Sequence, residues 1–138
     1  MMRDGIDKGT IMLPLSAQTR LQMIAVDDIG AFVALAFEHS GHWHDRAYDL
    51  AGDELSMTEV AQAFSRVAGR EVRYQQVAWD QFEQQAGHEM TVMFRWFEEK
   101  GYSVDIGAVR QQYPELKSFN RWLEQKWTRS AAQGAFGR

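Results

Sequence analysis

Residues 24–39, IAVDDIGAFVALAFEH, constrain the fold more than any other stretch. The run Met23-Ile24-Ala25-Val26 is apolar and partly β-branched, which suits a buried strand. Asp27 and Asp28 follow it. A carboxylate there accepts from the free N–H groups of a new helix and favours the positive end of its dipole. Beyond them, Ile29, Phe32, Val33, Ala36 and Phe37 recur at the spacing of one buried helix face. Strand, acidic turn and amphipathic helix make half of a βαβ unit, in which Asp27 and Asp28 read as helix caps.

The flanking chain extends the alternation. Residues 1–10 are polar and read as a flexible lead-in. Residues 11–15, IMLPL, contain Pro14 and suit an edge strand at best. Residues 40–46 read as a loop, and residues 47–51, AYDLA, as a short strand ended by Gly52-Asp53. Ser56 with Glu59 three residues on is a capping box, opening a helix with Val60, Ala63, Phe64 and Val67 on one face and Gly69 as its stop. Residues 71–77 suit another strand. From residue 79 the chain turns helical, with helices expected over 79–86, 88–100, around 108–112, and 118–128 behind Ser118. The expectation is one α/β domain over residues 1–138, an α+β-like remnant. It has short, mostly parallel strands, about five helices and a helix-rich C-terminal half, with flexible ends at 1–10 and 130–138.

Charge and composition exclude several function classes. A net charge of −4 argues against a nucleic-acid footprint, which needs a basic stripe. No apolar run approaches the roughly 20 residues that span a bilayer, so no membrane partner and a cytoplasmic location are expected. Without cysteine there is no disulfide, thiolate metal site or cysteine nucleophile. Five Trp and eight Phe in 138 residues need burial in a core, a partner or a ligand cleft.

No glycine-rich turn cradles phosphate between a strand and a helix. No Tyr-x-x-x-Lys dyad is expected either: Tyr74 is followed four residues later by Ala78, and Tyr102 by Ile106. His39, His42 and His44 lie close together beside Asp45. His42 and His44 are weak metal candidates, since their spacing matches no metal motif, and no metal is expected. Met90, Met93, Phe94 and Phe97 form a helical stripe that reads as core. Val92 and Trp96 widen it towards a partner or ligand. Met90, Phe94, Arg95 and Phe97 are the candidates for a substrate cleft and a small apolar ligand.

Three motifs in order carry a resemblance. They are Val26-Asp27-Asp28-Ile29-Gly30, the Leu50-Ala51-Gly52-Asp53 turn before a capped helix, and the ending Phe119-x-x-Trp122-Leu123. Residues 11–127 resemble the C-terminal half of NmrA-like proteins, atypical members of the short-chain dehydrogenase/reductase superfamily. The resemblance implies an N-terminal Rossmann domain that binds NAD(P) and a smaller C-terminal lobe that closes the substrate cleft. The glycine motif belongs to the half this sequence lacks, so no cofactor is expected to bind this chain alone.

In that family the strand matching residues 47–51 lies in the Rossmann sheet. Left without it, the strand edge and nearby apolar helix faces favour association. A homo-oligomer, most simply a dimer, or docking onto a Rossmann-containing chain is expected. Two functions follow. The first is a non-catalytic lobe acting as an oligomerisation, ligand-binding or regulatory module. The alternative is the substrate-binding part of an NAD(P)-dependent reductase.

Overall fold

The computed structural model describes the backbone of residues 2–135 and the side chains of residues 5–127. Where a loop was expected, the chain opens on α1 (Met2–Asp7), which turns Ile6 into the core. β1 (Thr10–Leu13) and β2 (Arg20–Met23) follow, joined through Pro14 and the turn Ser16-Ala17-Gln18-Thr19. α2 (Val26–Glu38) and the short α3 (Ser40–Trp43) precede β3 (Asp53–Ser56). Then come α4 (Met57–Ala68), β4 (Arg73–Gln76), α5 (Trp79–Ala86), α6 (His88–Glu99), α7 (Ile106–Gln112) and α8 (Phe119–Ala135). The described residues therefore hold eight helices, where about five were expected.

The strands form two separate pairs. β1 runs parallel to β4, with Ile11 opposite Tyr74. β2 runs antiparallel to β3, with Leu21 opposite Leu55. One parallel and one antiparallel pair thus replace the mostly parallel set that was expected. Among the described residues nothing forms a ladder with 47–51. Their end is tied down instead, because Gly52 N–H donates to the Met23 carbonyl at 2.8 Å and the Arg110 guanidinium reaches the Gly52 carbonyl at 3.2 Å.

Three apolar clusters fill the interior. Ile6, Ile11, Phe64, Val72 and Leu123 join both ends of the chain around α4. Leu15, Met57, Phe82 and Phe94 form a second cluster between β1, α5 and α6. Leu13, Val60 and Tyr74 pack against both clusters. Tyr74 is held by its hydroxyl, which donates to the Leu13 and Leu15 carbonyls. The third cluster, Phe32 with Val109 and Leu116, seats α2 against α7.

α2 departs most from its sequence pattern. Of its expected buried face only Phe32 is buried, while Val33 is 50% and Phe37 83% exposed. Val26 and Ile29 extend the exposed row along the same helix. The apolar stripe is real, but among the described residues nothing covers it. Among the described residues no helix is long and apolar enough to cross a membrane.

Candidate functional site

The acidic turn at residues 27–28 is a joint between distant parts of the chain. The N-cap of α2 is Ala25 and no side chain caps it, which corrects the expected capping by Asp27 or Asp28. Asp28 is instead fully buried. Its carboxylate accepts from the Lys117 backbone N–H at 2.8 Å and from Lys117 Nζ at 2.7 Å. The carboxylate bond holds the Lys117 ammonium above its ordinary pKa. Nearby, Asp53 accepts from the Phe119 N–H at 2.8 Å, so a second aspartate fixes the start of α8. Asp27 pairs with Lys126 at 3.0 Å on the surface, and that hydrogen bond lowers its pKa.

This joint places a chain of clefts around the carboxyl end of β2. One of about 370 Å³ lies between residues 23–27 and the start of α8, walled by Ile24, Phe119 and Trp122. A second of about 260 Å³ meets it at Met23 and Ile24 and reaches Asp49, Tyr102 and Val104. The last three residues also border a third cleft of about 510 Å³, lined by Tyr48, Trp96, Asp105 and Gln112. The segment 101–105 forms the shared wall. Gln22 clamps it, donating to the Val104 carbonyl at 3.0 Å and accepting from the Val104 N–H at 2.9 Å. Gly101 begins it in a left-handed conformation, φ +64°, which glycine adopts without strain.

The substrate-cleft candidates of α6 are dispersed. Phe94 is buried in the second apolar cluster against Phe82. Phe97 packs edge-on to it. Arg95 lies over the Trp79 ring at 4.6 Å, and Met90 is exposed. None of the four lines the three clefts; their neighbours Trp96 and Tyr102 do. Tyr102, Asp49 and Gln22 escaped sequence reasoning. The glycine that ends α6 was the one local sign that residue 102 turns into a cleft.

Ser56 and Glu59 make a complete capping box at α4, and the Ser56 N–H holds the Glu59 carboxyl below its ordinary pKa. His42 lies against Trp43 and Tyr48, and His44 pairs with Asp45 at 3.2 Å in the open. Among the described residues no group of three or more potential ligands gathers to hold a metal. A Tyr-x-x-x-Lys spacing does occur, at Tyr113 and Lys117, which corrects the expectation of none. It does not build a proton-transfer dyad, because Lys117 is committed to Asp28 and the Tyr113 hydroxyl turns to Glu115.

Nor do the helix starts fit a dinucleotide. Those of α4 and α5, each preceded by a strand, carry Glu59 and Asp80 in the first turn, and at α2 Asp28 and Asp27 are taken up by Lys117 and Lys126. A carboxylate there occupies the positive helix end and repels a pyrophosphate.

The sequence profile of the NmrA-like family matches residues 1–131. The chain belongs to that family. An NAD(P)H azoreductase from Xenophilus azovorans is 37% identical over 79 residues, which are 56% of this chain and 27% of the azoreductase. Two solved structures share the fold at 20% identity. A triphenylmethane reductase from Citrobacter sp., in complex with NADP(H), superposes with a TM-score of 0.71 over 90% of this chain. A nucleoside-diphosphate-sugar epimerase from Staphylococcus aureus does so at 0.70 over 88%. The chain spans 46% of each of those two proteins.

Proposed function

We propose that this chain is the substrate-side lobe of an NAD(P)-dependent reductase, whose dinucleotide is held by a second, Rossmann-type half. The observation that carries this reading is the uncovered side of the lobe. α2 presents a row of apolar side chains from Val26 to Phe37, and among the described residues no strand lies beside segment 47–51. An apolar helix face and an unpaired segment beside it are what a neighbouring α/β layer covers. The acidic helix starts support the same division of labour, since they leave the dinucleotide to the other half. The clefts at the end of β2 then serve the substrate.

Calorimetric titration with NADPH tests the proposal. The isolated chain is expected to give no binding heat. A chimera joining the N-terminal half of the Xenophilus azoreductase to this chain is expected to bind at micromolar concentration, and to lose stability on V33S/F37S substitution. Micromolar binding by the isolated chain overturns the proposal, as does a chimera indifferent to V33S/F37S.

The same exposed row favours a second reading, in which two copies cover each other as a non-catalytic dimer. Light scattering then gives twice the chain mass, returning to one on V33S/F37S substitution. A monodisperse monomer that unfolds cooperatively counts against it.

A further inference from the structure

We propose that the cleft between residues 23–27 and the start of α8 binds a carboxylic acid with an apolar body. The inference rests on reading the chain as a substrate-side lobe and names the ligand class of one cleft. At about 370 Å³ the cleft falls in the range of about 300–1,000 Å³ that small-molecule sites span. Its walls are mostly apolar. Phe119 and Trp122 lie nearly parallel, ring centroids 6.1 Å apart at 18°, and line it together with Met23 and Ile24. Such a surface takes up the hydrocarbon part of a ligand. Val26, the first of the uncovered row on α2, lines it too, so the site lies at the edge that the second half would cover.

Charge chooses the polar end. This cleft carries two lysines, Lys117 and Lys126, and one carboxylate, Asp27. Among the described residues the other two clefts hold aspartates and tyrosines but no Lys, Arg or His. Lys117 meets buried Asp28 at 2.7 Å, and Lys126 meets Asp27 at 3.0 Å. An ammonium has three N–H donors, so each lysine can serve a further acceptor. The two pairs differ in hold. Lys117 is fixed in the joint with Asp28, whereas Asp27 and Lys126 are 59% and 44% exposed. An ion pair in water is worth only about 0–1 kcal/mol. A ligand carboxylate, anchored by its apolar body, can therefore replace Asp27 on Lys126. Trp122 and Lys126 stand one turn apart on α8, so the ring and the ammonium share a helix face. A cationic head would meet two ammonium groups instead.

Equilibrium dialysis of the whole chain against decanoate, and against decyltrimethylammonium, which carries the same alkyl length under the opposite charge, tests the proposal. Neither NADPH nor a second half is needed, so failure here leaves the test of the proposed function standing. Decanoate is expected to bind, and the cation at least about tenfold more weakly. Lys126→Met is expected to weaken decanoate by about two- to fivefold. Asp27→Asn acts in the opposite direction, because it frees Lys126 from its competitor, and is expected to tighten decanoate by a similar factor. Asp27 makes no capping bond to α2, so this variant stays folded. Arg95→Met removes a positive charge that lines none of the clefts and should leave binding unchanged. No binding of decanoate overturns the proposal. So does equal binding of the two amphiphiles, or decanoate binding that moves with neither Lys126→Met nor Asp27→Asn, or that falls as far with Arg95→Met as with Lys126→Met.

Discussion

Replacing Lys117 by Met tests the joint that holds the clefts together. The change removes a charge and little volume from a side chain that is 18% exposed, while its partner Asp28 is fully buried. Of the two bonds to that carboxylate, the one from the Lys117 backbone at 2.8 Å survives and the one from Nζ at 2.7 Å is lost. Removing one partner of a buried ion pair costs about 3–5 kcal/mol, since the other charge is left stranded. The surviving bond places the loss near the lower end, about 3 kcal/mol. With a urea slope of about 1–3 kcal/mol/M, the unfolding midpoint falls by about 1 M or more. Urea titration followed by tryptophan fluorescence reads this directly. Adding Asp28→Asn removes the stranded charge and should restore part of the loss. Lys126→Met, which breaks the exposed pair with Asp27, should leave the midpoint in place. A Lys117→Met midpoint no lower than that of Lys126→Met refutes the joint.

Gln22→Leu strips both bonds from Val104 and should cost about 1–3 kcal/mol, with faster hydrogen exchange at the Val104 amide. Gly101→Ala forces a Cβ into a left-handed position 3.3 Å from the Phe97 carbonyl. It should destabilise by about 1–2 kcal/mol and shift Tyr102 in near-ultraviolet circular dichroism. Burial raises the Tyr74 pKa, so the folded state holds that proton more tightly than the unfolded chain. Its contribution is intact below the unfolded value near pH 10 and is lost as pH rises above it. The slope of unfolding midpoint against pH above 10 should therefore flatten in Tyr74→Phe.

What was legible in the sequence was what neighbours in the chain decide. The capping box of α4 is written within four residues, Ser56 to Glu59, and needs nothing distant. The periodicity of α2 and α6 located both helices, because helical spacing is local. It did not show which face is covered, since that depends on partners elsewhere. The apolar row of α2 reads as core, yet Phe37 stands open. Asp28 reads as a cap because caps are common after strands, whereas its true partner lies 89 positions away. Residues 47–51 alternate as a strand should, but a ladder needs a second strand and none of the described residues supplies one beside them. The clefts beside residues 101–105 escaped for the same reason. Gln22, Asp49, Trp96 and Tyr102 come together only once β2 and the turn after α6 meet.

The apolar cluster that holds Ile6 together with Leu123 also sets an order on biosynthesis. Synthesis adds about 5–20 residues per second, so Ile6 leaves the ribosome on the order of ten seconds before Leu123. The parallel pairing of β1 with β4 likewise waits for residues more than sixty positions downstream. Closing loops of that length before contacts can reward them slows folding. The hairpin of α5 and α6 needs only neighbouring residues, whereas the cluster around Ile6 and Ile11 is completed only when Leu123 arrives. Until then Ile6 and Ile11 lack the side chain that completes their cover.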